Sequence, residues 1–285
     1  SGFDQLKFLN GGEMENKGWE LMMNYKIIRT KDWLVSVDFN TSQNINAFTQ
    51  LPENFNTEKS TSIGNGEYPR RVVEGEPIGS FFGFRYQGVY ATDADAIAKD
   101  AAGNQLKDSE GNPVPMTYKG TYIFRGGDAK YEDVNKDGKI DLNDVVYIGD
   151  SNPDFIGGFG TSLRYKNWDL SVQFHYRIGF DIINMIALQT EGMDGRNNQS
   201  KAVLNRWRTE GQNQPGLLPR AYMSHPANNL GSDRYVEAGD FMRLNNVKLG
   251  YQLSQELCRK LNLQSASFSL SARKLFTFTN YSGQD

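Results

Sequence analysis

Long runs of strictly alternating residues dominate this chain, and a period of two belongs to β-strands rather than helices. Trp19, Leu21, Met23, Tyr25 and Ile27 alternate with Glu20, Met22, Asn24, Lys26 and Ile28. After the turn "RTKD", Trp33, Val35, Val37 and Phe39 alternate with Leu34, Ser36, Asp38 and Asn40. The pattern returns at 159–177. Phe159, Thr161, Leu163 and Tyr165 share a face, "KN" (Lys166 and Asn167) makes a turn, and Trp168, Leu170, Val172, Phe174 and Tyr176 oppose Asp169, Ser171, Gln173, His175 and Arg177. Two further strands are expected near 241–253 (Val247, Leu249, Tyr251, Leu253) and 267–279 (Phe268, Leu270, Ala272). Runs of ~10 residues or more are long enough to cross a bilayer obliquely.

The connections are as uneven as the strands are regular. Short turns join the strands of each hairpin, and long polar excursions, 51–157 and 179–239, lie between hairpins. That asymmetry is the layout of an outer-membrane barrel, with Trp33 and Trp168 placed for an aromatic girdle just past tight turns. A soluble β-sandwich also alternates and also buries aromatics. Strand length and loop asymmetry favour the barrel. The stretch "SQELCRKLNL" (254–263) reads as a short amphipathic turn with Leu257, Leu261 and Cys258 on one face. The stretch 97–120 is rich in Gly, Asp, Lys and Pro and reads as a flexible surface loop.

Bulk properties remove several classes. A net charge of −3 gives no reason to expect a nucleic-acid partner. The one cysteine, Cys258, cannot form an internal disulfide. The longest apolar run, "IINMIAL" at 182–188, is too short for a transmembrane helix, and barrel strands hide in low mean hydropathy. The opening "SGFDQLKFLN" lacks the charged and apolar regions of a signal peptide.

One stretch carries ligand chemistry. "DVNKDGKIDLND" places Asp133, Asn135 and Asp137 at loop positions 1, 3 and 5, Gly138 at 6, the Lys139 carbonyl at 7, Asp141 at 9 and Asp144 at 12. Alternate oxygens on a tight loop converge on one point, as hard Ca²⁺ requires. Asp144 stands where Glu is usual; its shorter side chain either chelates with one oxygen or pulls the loop in. The expected ion is structural calcium, folding the long excursion. The alternative is an Asx-rich turn with no ion. Catalytic motifs are lacking: there is no GxSxG, GxxxxGK[ST], CxxC or HExxH, and His175 and His225 are 50 residues apart. An enzyme is not expected.

Several segments together resemble the SusC/RagA-like, TonB-dependent outer-membrane transporters of Bacteroidetes. They are "GEMENKGWELMMNYKII" (12–28), "EPIGSFFGFRYQGVY" (76–90), "GDAKYEDVNKDGKIDLNDVVYIGDSNPDFIGGFGTSLRYKNWDLSVQF" (127–174), "VLNRWRTEG…LPRAY" (203–222), "RYVEAGDFMRLNNVKLGYQL" (234–253) and "ARKLFTFTNYSGQD" (272–285). The resemblance implies a C-terminal portion (1–285) of an antiparallel barrel of about 22 strands, whose N-terminal plug and TonB-contacting part would lie outside this chain. It further implies multi-pass placement among outer-membrane lipids and long loops outside the cell. A SusD-like surface lipoprotein would act as lid, and the substrate would be an oligosaccharide or peptide. The competing expectation is a secreted, calcium-stabilised β-sandwich for binding or adhesion.

Overall fold

A computed structural model describes residues 12–52 and 63–284, so the opening "SGFDQLKFLN" and Asp285 lie outside the described residues. Its frame is one six-stranded antiparallel sheet in sequence order: β1 (Glu13–Arg29), β2 (Trp33–Gln50), β3 (Phe155–Tyr165), β4 (Trp168–Ile178), β5 (Phe241–Gln252) and β6 (Ser267–Thr279). Every expected hairpin forms. Residues 30–32 join β1 to β2, and Lys166 takes φ 51° in the two-residue turn between β3 and β4. A positive φ there matches the twist of the strands it connects. The third connection, 253–266, holds helix α1 (Gln255–Lys260) and leaves the sheet at the same end as the other two.

Cross-strand partners lie on one face of a sheet, so register decides which residues are neighbours. The alternation holds with four interruptions, the first a shift between Glu13 and Met14 at the start of β1. A bulge between Lys26 and Ile28 sets Ile28 opposite Val35, so Ile28 and not Ile27 continues the Trp19–Tyr25 face. Further shifts fall between Gln173 and Phe174 and between Leu244 and Asn246; beside the second, Lys274 on β6 has φ 52°. Such bulges add local twist.

The six strands bury no side chain; their only buried positions are Gly157, Gly158 and Gly160. A sandwich would cover one face with a second sheet, and among the described residues none does. The packed interior lies instead in the two excursions. Phe84, Phe124, Tyr131, Ile140 and Leu230 are at most 3% exposed and form one cluster drawn from both excursions. Burying each such side chain stabilises the pair by about 2 kcal/mol.

Two expectations are corrected here. The stretch 97–120 is ordered: bridges pair Ile97 with Pro115, Lys99 with Gln105 and Lys107 with Pro113. Two matching turns, "DAAGN" and "DSEGN", close it, with Asp100 and Asp108 each accepting from the backbone two and four residues on at 2.8–2.9 Å. In α1 only Cys258 is buried, whereas Leu257 and Leu261 stay about half exposed, because the helix packs with its cysteine edge toward the chain.

Candidate functional site

One face of the sheet is apolar, and it is read most clearly across the strands. Trp33 pairs with Tyr165, Tyr165 with Trp168, Trp168 with Tyr251 and Tyr251 with Phe268, giving one aromatic row across five strands at the short-turn end. Ring centroids are 4.2 Å apart for Trp33–Tyr165 and 4.6 Å for Trp168–Tyr251, within stacking range. The next rows along are aliphatic: Val35–Leu163–Leu170–Leu249–Leu270, then Val37–Thr161–Val172–Val247–Ala272. Aromatics return at Phe39–Phe159–Phe174–Leu244–Phe276, with Phe159 and Phe174 stacked at 4.9 Å. Beyond them Trp19 meets Phe155 at 6.3 Å. From Trp168 to Tyr176 is eight residues, about 26 Å of strand at 3.3 Å per residue, which suits a tilted apolar band flanked by aromatic girdles.

The opposite face is polar. Ser36, Ser162, Ser171, Lys248 and Ser271 form one row, and Asp38, Gly160, Gln173, Asn246 and Arg273 the next. Near the short turns Arg164 Nε donates to Asp169 Oδ1 at 2.8 Å. A serine-lined hollow opens there, between Ser36, Ser162, Ser171, Lys248 and Ser267. His175 belongs to this polar face, as its alternation indicated. Glycines thin the sheet at β3: a Cβ on Gly157 would stand 2.3 Å from the Asn40 carbonyl oxygen and 2.5 Å from the Tyr176 hydroxyl.

The calcium-type loop lies within the first excursion: Asp133, Asn135 and Asp137 share a tight turn, Lys139 begins a two-residue strand, and Asp141 and Asp144 bracket a short helical turn. Asp133 accepts from the Asp137 N–H (3.2 Å) and the Gly138 N–H (2.9 Å), and Asn135 also accepts from Asp137 N–H at 3.2 Å. Asp137 accepts from Lys139 N–H at 2.8 Å. Gly138 has φ 82°, the left-handed turn that glycine tolerates. Asp141 caps the short helical turn Leu142–Asp144, accepting from Asn143 N–H at 2.8 Å. Asp144 closes the loop on its beginning, accepting from Val134 N–H at 2.8 Å and from Asp141 N–H at 2.9 Å. Its side chain is fully buried. Burial, with the charges of Asp133 and Asp141 adding, pushes its carboxyl up to about 6 against the opposing N–H groups.

That donor set fits a hard cation in its chemistry: every side-chain donor is oxygen, and the buried Asp144 lacks a Lys or Arg ion-pair partner among the described residues. Its geometry is not yet a cage. The oxygens are engaged by backbone N–H groups, and among the described residues no three His, Cys, Asp or Glu side chains are arranged to hold a metal. Asp133, Asn135, Asp137, the Lys139 carbonyl, Asp141 and Asp144 would have to turn lone pairs inward.

Sequence reasoning missed a second buried polar centre. Asp128, with no exposed side-chain surface, receives Arg220 Nε at 2.7 Å, the Tyr122 hydroxyl at 3.3 Å and the Arg125 N–H at 2.9 Å. His225, equally buried, accepts the Ala227 N–H on Nδ1 at 3.0 Å, which leaves its ring proton on Nε2, 3.0 Å from Asp128 and off line for a good hydrogen bond. Burial pulls the Asp128 carboxyl upward, but His225, the Arg125 N–H and Arg220 outweigh it and hold it below the usual range. The centre joins the first excursion to the second across 92 residues, a distance at which no local motif exists. Trp207 packs its ring on Gly127, and Tyr222 is half exposed over Arg220.

Comparison with known proteins gives the following. No protein-family model matches the chain. The TonB-dependent receptor P3 of Formosa agariphila is 32% identical over 97% of this chain, and P39 of the same organism is 30% identical over 99%. The TonB-dependent receptor SusC of Bacteroides thetaiotaomicron is 23% identical over 85%. The chain spans 25%, 28% and 21% of those three proteins, respectively. Among solved structures, the RagAB peptide importer in its open-open state superimposes with a TM-score of 0.67 at 23% identity, over 95% of this chain and 26% of that one.

Proposed function

We propose that this chain, whose sequence relatives and fold are those of the SusC/RagA-like TonB-dependent receptors, supplies six consecutive strands of an outer-membrane import barrel. The observation that carries the reading is the two-faced sheet: aromatic rows bound an apolar band on one side, serines and charges line the other, and neither side is covered among the described residues. Such a sheet is stable only where lipid meets one face and a wet lumen the other. Among the described residues its end strands β1 and β6 have one unpaired edge each, and strands from the rest of the receptor would close the barrel.

In this reading the short turns face the periplasm and both excursions, 51–157 and 179–239, face outward, where a SusD-like lipoprotein would dock over them. The whole receptor would import oligosaccharides or peptides with energy delivered through TonB, and would carry no chemistry of its own. The fold is shared with the RagAB peptide importer, which favours the peptide half of that alternative. Calcium would bind the 133–144 loop from outside and stiffen the excursion. Asp133, Asn135, Asp137, Asp141 and Asp144 would supply side-chain oxygens and Lys139 its carbonyl.

Arginine scanning in the full receptor tests the barrel. Val172→Arg faces lipid and should impair assembly by ~2–4 kcal/mol if near the midplane, whereas Gln173→Arg should be tolerated. Equal tolerance of both in outer-membrane fractions would refute it.

A further inference from the structure

The polar face of the sheet is electrically one-sided. Strands β3 to β6 together carry Arg164, Arg177, Arg243, Lys248, Arg273 and Lys274 but a single carboxylate, Asp169. The whole chain, by contrast, has a net charge of −3. Asp169 is already matched by Arg164. The neighbouring β1 interleaves its charges instead, Glu13, Glu15 and Glu20 with Lys17 and Lys26, as an ordinary solvated strand does. A run of like charge on adjacent strands is repulsive, so a wall without acids is unfavourable in isolation.

Register gathers the cations. His175 stands opposite Arg243, Arg177 opposite Phe241, and Arg273 opposite Asn246, all on the polar face within three successive rows. Within β2 to β6 that face carries one further carboxylate, Asp38, in the row of Gln173 and Arg273 but on β2, beyond β3; past the strand ends Asp154 and Asp240 lie against Gly179. The side chains are also oriented. Arg243 Nε donates to Thr277 Oγ1 at 2.9 Å, and its guanidinium lies 5.1 Å from the centre of the Phe241 ring. His175 meets the edge of the same ring at 5.8 Å. Arg177 is exposed beside them. Guanidinium groups bind carboxylates with paired N–H donors, and orientation beforehand reduces the entropy lost on binding.

We propose that this wall, formed by Arg177, His175, Arg243 and Arg273 around Phe241, recognises carboxylate groups on the transported solute, so that the receptor prefers an anionic oligomer to a neutral one. The proposal rests on the polar face being lumenal. Acidic peptides and uronate oligosaccharides share the required chemistry.

The test uses the full receptor in nanodiscs and two probe pairs: hexaglutamate against hexaglutamine, and oligogalacturonate against its methyl ester. One pair should show a preference of about ten-fold or more for the charged member at low salt, weakening as salt is raised, and the responding pair identifies the source. The triple variant Arg177→Gln, Arg243→Gln, Arg273→Gln should bring the charged probe to within about three-fold of the neutral one, with the neutral probe unaffected. If the triple variant does not assemble, Arg177→Gln alone, at an exposed position, should reduce the preference. Equal binding of both members, binding of neither pair, or a preference that survives substitution overturns the proposal. A spin label at Gln173 separates the two levels: a lipid-exposed label rejects the lumenal reading itself, whereas a water-exposed label with no charge preference rejects only the anion wall.

Discussion

The Asp128 carboxylate accepts from Arg220 Nε at 2.7 Å, and this ion pair, fully buried at Asp128 and a quarter exposed at Arg220, joins two excursions that the sheet alone would leave independent. Around it Tyr90 N–H donates to the Asp128 carbonyl and Arg220 N–H to the Gly127 carbonyl, so the backbone follows the side chains. Arg220 keeps contact with water, so losing its partner costs less than the ~3–5 kcal/mol of a fully buried pair, but it still releases the charge contact across the excursions at this point. Asp128→Asn should therefore speed amide hydrogen exchange at both Tyr90 and Arg220 while leaving β3 and β4 unchanged. A loss confined to one excursion would contradict the joint.

The two buried carboxylates should respond to acid in opposite senses. Asp128 is held below its ordinary range, so its contribution is present above that range and disappears as pH falls through the depressed value. Asp144 is raised to about 6, so in chelator its ionisation destabilises the loop as pH rises from the ordinary carboxylate value through 6. The protection factors of Val134 and Asp141, which remove the base-catalysed rise in intrinsic exchange, should be lower at pH 7 than at pH 5 without metal. Asp144→Asn should flatten that dependence.

If calcium binds the 133–144 loop, the same amides should regain protection at pH 7 in millimolar Ca²⁺, and Asp133→Ala with Asp137→Ala should abolish the recovery. Protection unchanged by calcium in the parent would leave an Asx-rich turn closed by its own N–H groups.

Gly127 tests the packing between excursions by shape alone. It has φ 87°, and a Cβ there would stand 2.5 Å from the Trp207 ring. Gly127→Ala adds both a strained backbone and a clash with a rigid aromatic, each costing about 1–3 kcal/mol. It should release Trp207, read as a red-shifted fluorescence that Trp207→Phe removes.

How much of this was legible follows from the range of each interaction. Alternation within 10–18 residues fixed the faces of β2 to β6, because side-chain direction in a strand is set by the neighbouring residue. The bulge beside Ile27 was invisible, since two adjacent isoleucines give no polar mark to locate a one-residue slip. The Asx loop at 133–144 was readable as a loop because its partners lie within a dozen residues. The eight-residue repeat of Asp100–Asn104 and Asp108–Asn112 was equally local, and composition alone masked it. The Asp128 centre was not readable: Tyr122, Arg220 and His225 meet it through tertiary folding, with no spacing rule to announce them.

The central claim is that one face of the sheet meets lipid and the other water. Spin labels placed singly at 170–175 on β4 of the reconstituted full receptor measure this directly, through collision with oxygen, which favours lipid, and with a water-soluble nickel chelate. The account predicts alternation: oxygen-accessible labels at Leu170, Val172 and Phe174, and chelate-accessible labels at Ser171, Gln173 and His175. Uniform accessibility along the strand, or the inverse pattern, would contradict it.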